Sequence, residues 1–216
     1  MQPFPESPSV LLLAEGGVLL TDSSALVVAD VHLGKSAAFR ARGLPVPEGD
    51  NARDFLRLTA MVRKYDARHL IIAGDLFHAP SSITAELETA LKQFLTAIAI
   101  PVTLVVGNHD AKISRLPRVL TCVSQLDLAG LSILHDPAHR LGRHLHLAGH
   151  WHPVVKISEG KRTSLRLPCF LFRQDVLVLP AFGSFTGGEV LKPMPDDRIF
   201  VTLREAVVEI PSALIC

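Results

Sequence analysis

Five short apolar segments of this sequence are each followed at once by aspartate, asparagine or histidine, in three cases after a glycine. The segments are Ala25–Ala29, His69–Ala73, Pro101–Val106, Leu131–Leu134 and His144–Ala148. Only Ala25–Ala29 is an uninterrupted apolar run, which is typical of a strand buried on both faces of a sheet; the other four are strand-like runs that contain one or two polar residues. Because ligands of open α/β sheets bind beyond the carboxyl ends of the strands, the polar residues after these runs are candidates for one shared site.

Amphipathic segments separate the first three runs. Apolar residues follow Asp50 at helical spacing, with Asp50 as a candidate N-cap, and a second such series extends from Ile83 to Ile98. This strand–helix–strand–helix–strand order predicts a parallel sheet with right-handed crossovers. Earlier in the chain, Val10–Ala14 and Gly17–Leu20 are expected to form a strand pair around a turn.

The second half of the chain is predicted to be mainly β-structure. Its short strand-like runs are separated by turn residues, with little room for long helices. The runs are Val123–Leu128, Leu131–His135, His144–Ala148, Leu165–Phe172, Val176–Leu179, Ile199–Leu203 and Ala206–Ile210. We therefore expect an α/β fold in which two sheets form a β-sandwich flanked by helices, with residues 1–216 as a single domain and a metal site at the strand C-terminal ends.

Composition limits the class of protein. The 22 Lys and Arg residues balance 21 Asp and Glu residues, for a formal charge of +1. This excludes a strongly basic nucleic-acid clamp but leaves room for a local basic groove. The three widely spaced cysteines, Cys122, Cys169 and Cys216, form no Cys-x-x-Cys motif and do not suit a disulfide framework. With no recognisable leader and no apolar membrane span, a cytoplasmic location is expected.

The polar residues at the strand ends suit divalent metal ions. Asp30 and His32 form a D-x-H pair whose side chains point the same way on an extended backbone, and the two oxygens of Asp75 can bridge two cations. Further donors are the amide oxygen of Asn108 and the ring nitrogens of His135, His150 and His152. Nitrogen and oxygen ligands without thiolate favour manganese, iron, zinc or nickel. Two such ions would clamp a phosphoester for in-line attack by a metal-bound hydroxide.

The chain resembles the calcineurin-like metallophosphoesterase superfamily in motifs that occur in the same order. They are D-x-H (Asp30–His32), G-D (Gly74–Asp75), G-N-H-D (Gly107–Asp110), the lone His135 and G-H-x-H (Gly149–His152). Each motif alone is common, but the ordered set is specific. Longer stretches are similar to the bacterial ligase-associated DNA damage response endonuclease (PdeM-type) family. These stretches are Val28–Lys35, Phe39–Pro47, Gly74–His78, His135–Pro137, Gly149–Pro153 and Leu179–Gly188.

The resemblance implies a role for each motif residue. One metal would be held by Asp30, His32, Asp75 and His152, and the other by Asp75, Asn108, His135 and His150, with Asp75 as the bridge. His109 would contact the scissile phosphate and stabilise or protonate the leaving oxygen. Asp110 is a candidate for orienting the His109 imidazole, with a solvent-facing loop acid as the alternative.

For several other residues the sequence is consistent with either a functional or a structural role. Arg40 and Arg42 are candidates for substrate binding or ordinary surface residues, and His78 is a further candidate for substrate contact. Trp151, between two predicted ligands, either stacks on a base or packs behind the ligand loop. Residues 183–188 (GSFTGG) lack the lysine of a P-loop, so we expect a shaped loop near the site.

The leading functional hypothesis is a dinuclear, metal-dependent phosphoesterase that hydrolyses phosphodiester bonds in DNA, as a repair endonuclease. The resemblance implies a preference for manganese and a functional link to a DNA ligase and a helicase. One alternative is a phosphoesterase of a small molecule, such as a cyclic nucleotide, a nucleotide sugar or a phosphomonoester; another is a non-catalytic scaffold. The oligomeric state is left open, with a homodimer as one option, and so is endonuclease against exonuclease action.

Overall fold

The computed structural model describes residues 1–159, 163–190, 192–211 and 215, and within these ranges it contains two mixed β-sheets and three α-helices. The helices are α1 (Lys35–Ala41), α2 (Asp50–Lys64) and α3 (Ala85–Ile98). No helix of the described residues is long and apolar enough to cross a membrane.

The first sheet has seven strands whose spatial order follows the chain. They are β1 (Gln2–Phe4), β2 (Ser7–Leu12), β3 (Val18–Leu20), β4 (Ala25–Val28), β5 (His69–Ala73), β6 (Val102–Val105) and β7 (Thr121–Val123). Strands β1 to β4 are antiparallel, whereas β4 to β7 are parallel. The predicted N-terminal strand pair and the parallel strand–helix order are both confirmed.

The second sheet has nine strands drawn from the rest of the chain. They are β8 (Leu126–Leu128), β9 (Leu131–Ile133), β10 (His146–Ala148), β11 (Pro153–Glu159), β12 (Thr163–Arg173), β13 (Val176–Val178), β14 (Glu189–Val190), β15 (Arg198–Thr202) and β16 (Val207–Ile210). Their order is β14-β11-β12-β13-β10-β9-β8, with β15 beside β12 and β16 beside β15. Within this sheet β9, β10 and β13 run parallel.

Strand β4 shows how the sheets and helices pack. Leu26 and Val28 face the apolar cluster that includes side chains of α2 and α3, whereas Ala25 and Val27 face the cluster that lies between the two sheets. Every residue of β4 is therefore buried, as its continuous apolar sequence predicts. The two-sheet sandwich flanked by helices is confirmed.

Two local predictions were wrong. The run Val123–Leu128 is not one strand, because the chain passes there from β7 in the first sheet to β8 in the second. Asp50 is the first residue of α2 and not its N-cap; its carboxylate instead accepts a hydrogen bond of 2.6 Å from the hydroxyl of Ser36 in α1. Helix α1 and strand β11 were not predicted. Cys216 lies outside the described residues.

Candidate metal centre

The predicted ligands lie in loops that follow parallel strands of both sheets. Asp30 and Asp75 lie two residues beyond β4 and β5, and Asn108 lies three residues beyond β6. In the second sheet, His135 and His150 lie two residues beyond β9 and β10. The sandwich therefore brings side chains that are distant in sequence to one edge, where the carboxyl ends of both sets of strands meet.

One group of donors consists of Asp30, His32 and His152, whose ligand atoms lie within 4.8 Å of one another. The Nε2 atoms of His32 and His152 face each other at 3.3 Å. Among the described residues, no group meets hydrogen-bond geometry with the buried Oδ1 of Asp30, although Nε2 of His152 lies 3.2 Å away. Buried lone pairs that converge in this way cost free energy unless a cation lies among them, so this group fits a divalent metal ion.

A second group consists of Asp75, His135 and His150, again with ligand atoms within 4.8 Å of one another. The amide oxygen of Asn108 adds a fourth donor, 2.9 Å from Nε2 of His135. Oδ2 of Asp75 lies 3.4 Å from Nε2 of His135 and 3.9 Å from Nε2 of His32. The carboxylate of Asp75 thus lies between the two groups, where a bridging ligand would have to be.

The protonation of His135 is set by its neighbours. Its Nδ1 donates to the carbonyl oxygen of Ala73 at 3.1 Å, which directs Nε2 into the site, as in many metal-binding histidines. In the metal-free protein burial would lower the pKa of His135, but the hydrogen bond to Asp75 and the charges of Asp75 and Asp30 raise it to about 9. By contrast, burial lowers the pKa of His32 to about 3, so this ring stays neutral. The carboxylates of Asp75 and Asp30 thus stabilise a positive charge on a buried ring. A cation in the same place would be stabilised in the same way, as expected of a metal site.

Backbone strain is concentrated in the same loops. Five of the seven predicted ligands have left-handed φ angles: 56° at Asp30, 53° at His32, 51° at Asp75, 73° at His150 and 45° at His152. This conformation costs a non-glycine residue roughly 1–2 kcal/mol, somewhat less for aspartate. Such strain persists where the surrounding structure fixes it, and it is typical of functional sites. Asp30 and His32 are therefore not on an extended backbone, so that part of the D-x-H prediction was wrong; the left-handed turns bring their side chains to the site instead.

Two glycines leave space for the ligands. A Cβ atom at Gly149 would lie 2.5 Å from Oδ2 of Asp30, and one at Gly74 would overlap the ring of His135. Gly74 also has a φ of 84°, which side-chain-bearing residues rarely adopt. The glycines of the G-D and G-H-x-H motifs are therefore required by the close approach of carboxylate and imidazole to the backbone.

His109 lies beside the ligands with one ring nitrogen facing them. Its backbone N–H donates to Oδ1 of Asp75 at 2.8 Å, and its Nε2 lies 3.9 Å from Oδ2. Its Nδ1 faces the carbonyl oxygen of His78; because a carbonyl only accepts, Nδ1 carries a proton. The side chain is 29% exposed and the carbonyl of His78 occupies Nδ1, so Nε2 is the ring nitrogen left for a substrate.

The structure brings His78 into the site more closely than its sequence position indicated. Its imidazole stacks on that of His109, with ring centroids 5.4 Å apart, and meets the ring of His32 edge to face at 5.6 Å. Burial lowers the pKa of His78 to about 4. The only sequence signal was its place three residues after Asp75, in the same loop.

Asp110 does not orient the imidazole of His109, and it does not face solvent. Its buried carboxylate accepts hydrogen bonds from the backbone N–H groups of Leu76 (3.3 Å), Phe77 (3.0 Å) and Gly107 (3.1 Å). Burial raises its pKa to about 6. Asp110 therefore joins the loop after β5 to the loop after β6, and its effect on His109 is through the backbone.

The two predicted substrate-binding arginines differ. The guanidinium of Arg40 donates to the carbonyl oxygen of Pro47 at 3.0 Å and lies 3.6 Å from the carboxylate of Glu48. It is engaged within its own loop, which does not support phosphate contact. Arg42 is exposed at the end of α1, and its positive charge is one of the smaller causes that lower the pKa of His78. Arg42 is thus the arginine that remains available beside the site.

Trp151 lies against protein and not over the ligands. It packs on the third apolar cluster, formed by residues of the second sheet, and its ring lies 5.7 Å from the guanidinium of Arg173. These contacts favour the packing interpretation of Trp151 over base stacking.

Asp54 was missed by the sequence analysis. This buried residue of α2 accepts hydrogen bonds of 3.0 and 3.1 Å from the backbone N–H of Ser184. The neighbouring Gly183 donates its N–H to the carbonyl oxygen of Asp30 at 3.1 Å. Hydrogen bonds therefore connect the 183–188 loop both to helix α2 and to the backbone of Asp30. This agrees with the expectation of a shaped loop near the site.

Comparison with known proteins places this chain in a family. The model for calcineurin-like phosphoesterases matches residues 24–163, more than half of the 216 residues and a range that contains every predicted ligand. The chain belongs to the calcineurin-like phosphoesterase family. The crystal structure of nuclease MPE from Pseudomonas putida is 32% identical, with a TM-score of 0.77 over 92% of this chain and 94% of that one. The E. coli phosphoesterase Yfce is 16% identical, with a TM-score of 0.43 over 86% of this chain and 97% of that one.

As a calcineurin-like phosphoesterase, the chain is a metal-dependent hydrolase of phosphoesters, which confirms the predicted reaction class. The family implies divalent metal ions, and the two donor groups described above are able to bind them; the ligand atoms of His32, His78 and His109 form a third such group. The metal dependence predicted from the ordered motifs and the fold predicted from the pattern of strands and helices are thus both confirmed.

Proposed function

We propose that this calcineurin-like phosphoesterase is a nuclease that hydrolyses phosphodiester bonds in DNA, with the whole chain acting as one domain. The observation that supports it most is the likeness to the Pseudomonas putida nuclease over 92% of the chain. A further support is that Nε2 of His109, the ring nitrogen not paired with the His78 carbonyl, lies beside two groups of possible metal donors. The repair context and the functional link to a DNA ligase and a helicase rest on the sequence resemblance alone.

We assign the metal ligands as the motifs predicted. Asp30, His32 and His152 would hold one divalent ion, Asn108, His135 and His150 the other, and Asp75 would contact both. When bound, the two ions would polarise phosphate oxygens and lower the pKa of a water molecule. The nitrogen and oxygen donor set suits manganese, with iron, zinc and nickel as alternatives.

The residues of the chain supply positioning and a proton. Hydrogen bonds from the backbone, such as that from His150 N–H to Oδ2 of Asp30 (2.9 Å), fix the carboxylates before substrate arrives. In its protonated form His109 would donate from Nε2 to the leaving oxygen of the scissile phosphodiester. The carbonyl of His78 holds the other nitrogen of that ring, so the direction of the donor is fixed.

The test uses two substrates whose leaving groups differ. A DNA alkoxide needs a proton to leave, whereas the p-nitrophenolate of bis-p-nitrophenyl phosphate does not. With manganese, we expect the wild type to cleave both, and His109→Ala to lose about 10²–10⁴-fold in kcat on DNA but far less on the small ester. Asn108→Ala, which removes a ligand, should lose activity on both.

Three outcomes would contradict the proposal. Turnover of the small ester without cleavage of end-labelled DNA would favour a small-molecule phosphoesterase. Equal losses for His109→Ala on both substrates would remove the assignment of His109 as proton donor. Full DNA cleavage after complete metal removal, checked by metal analysis, would exclude the metal-dependent mechanism for this substrate.

A further inference from the structure

Four rings form a row that leads away from the metal centre. From His109 the next ring is His78, at a centroid distance of 5.4 Å, then Phe39 at 6.1 Å, then Phe185 at 5.7 Å. The two phenylalanines meet edge to face, at 69°. The row therefore extends the polar site with an uncharged aromatic surface.

The two phenylalanines are not part of the protein core. Both are only partly buried, and neither belongs to the three apolar clusters that the described residues form. Phe182, three residues before Phe185, shows the contrast: it is 2% exposed and lies in the core beneath the guanidinium of Arg57, at 4.0 Å. The pair Phe39–Phe185 contributes little to the core, although it borders the site directly.

Both rings are held in place from outside the row. Phe185 follows Ser184, whose backbone N–H is bound by the carboxylate of Asp54. Phe39 belongs to α1, which Ser36 fastens to Asp50 at the start of α2. An aromatic surface that is fixed before a ligand arrives loses little entropy on binding, which favours a ligand with a flat face.

We propose that Phe39 and Phe185 form a base-stacking subsite for a nucleotide next to the scissile phosphate. This inference rests on the proposed nuclease function and specifies which part of the substrate, besides the phosphate, is bound. A nucleobase is the flat, uncharged group that lies one sugar away from each phosphate of the strand. Stacking tolerates any base, because every base has a π face. The exposed Arg42, at the end of the same helix, is available for the backbone of that strand.

The experiment compares two oligomers of equal length and charge in the presence of manganese: oligothymidylate, and an oligomer of abasic tetrahydrofuran units. We expect the wild type to cleave oligothymidylate about tenfold more efficiently in kcat/KM, the size of effect typical of one stacked base. Phe185→Ala and Phe39→Ala should bring this ratio close to one, because the loss on oligothymidylate exceeds any loss on the abasic oligomer. Manganese content and hydrolysis of bis-p-nitrophenyl phosphate show that each variant is folded and binds metal.

Further variants separate stacking from packing. Phe185→Tyr keeps an aromatic face and should keep the preference, whereas Phe185→Leu keeps apolar bulk and should lose it. Tyr65→Ala removes a partly buried ring that contacts Glu15 and lies outside the row; it should leave the ratio unchanged. A wild type without preference, or a Phe185→Ala variant that loses equally on both oligomers, would overturn the subsite. Failure to cleave either oligomer, with bis-p-nitrophenyl phosphate still hydrolysed, would overturn the nuclease function itself.

Discussion

The carbonyl oxygen of His78 accepts the Nδ1 proton of His109, while the imidazoles of the same two residues stack with centroids 5.4 Å apart and 23° between their planes. One residue thus fixes both the tautomer and the tilt of its partner. The two contacts are separable, because the carbonyl belongs to the backbone and remains after any substitution, whereas the stacked ring does not.

Loss of the stacked ring is expected to affect catalysis without affecting metal binding. His78→Ala should lower kcat on DNA by up to about 100-fold, because a small displacement of a catalytic group costs rate on this scale. Manganese content by metal analysis should stay at the wild-type level. The matched control is His69→Ala, at the other end of β5, where Nε2 pairs with the hydroxyl of Thr103 at 2.8 Å. Loss of metal from His78→Ala would instead identify His78 as a ligand.

The close approach at Gly149 predicts a loss of metal affinity. The methyl group of Gly149→Ala would lie 2.5 Å from Oδ2 of Asp30, so the carboxylate has to move. We expect manganese affinity to fall by about 10–100-fold, the effect of disturbing a group that orients a ligand. Gly187→Ala is the control, because a Cβ atom there meets nothing within 4 Å. Titration calorimetry measures both; equal affinities for the two variants would contradict the role of Gly149.

The sequence predicted which residues meet at the candidate site better than it predicted the residues that support them. Asp30, Asp75 and His135 were singled out because each follows a short, mainly apolar strand, and parallel strands of this kind end at one edge of a sheet. The hydrophobic pattern of the sequence does not indicate what Asp54 or Asp110 would contact. Both accept hydrogen bonds from backbone N–H groups of loops, Asp54 from one distant in sequence, so their partners became visible only once the chain was folded.

Helix α1 illustrates a second limit of the sequence. Only Ser36 of its seven residues is buried among the described side chains, so the helix has no apolar stripe that a periodicity argument could detect. It is fastened by polar contacts instead, including one of 2.8 Å from the N–H of Gly34 to the amide oxygen of Asn51. Phe39 and its contact with His78 were missed for this reason.

Removal of the Asp54 carboxylate is expected to destabilise the protein. Asp54→Ala leaves the N–H of Ser184 without its acceptor and removes the 3.0 Å ion pair with Arg57. The free energy of unfolding should fall by about 1–3 kcal/mol, the cost of an unsatisfied buried group. Asp66→Asn removes the charge of an exposed contact with Arg68 and keeps a side chain that tolerates the left-handed φ of 46° there, so it should change the free energy of unfolding by less than about 1 kcal/mol. Urea unfolding distinguishes the two, and equal values would show that Asp54 does not fasten the 183–188 loop.

Metal binding should release a proton from His135. Its pKa of about 9 in the metal-free protein means that the ring is protonated at neutral pH, and a histidine must be neutral to bind a metal ion. His32, with a pKa of about 3, is already neutral and has no proton to release. Affinity should therefore rise with pH and level off above about pH 9, where His135 loses its proton without metal.

Calorimetry in buffers of different ionisation enthalpy counts the protons directly. At neutral pH we expect about one proton from His135 in the wild type, and one fewer in His135→Gln, which also binds metal more weakly. The His69→Ala variant should release as many protons as the wild type. An equal proton count in the wild type and His135→Gln would mean that His135 carries no extra proton in the metal-free protein. The negative charges of Asp75 and Asp30 would then not raise its pKa as described.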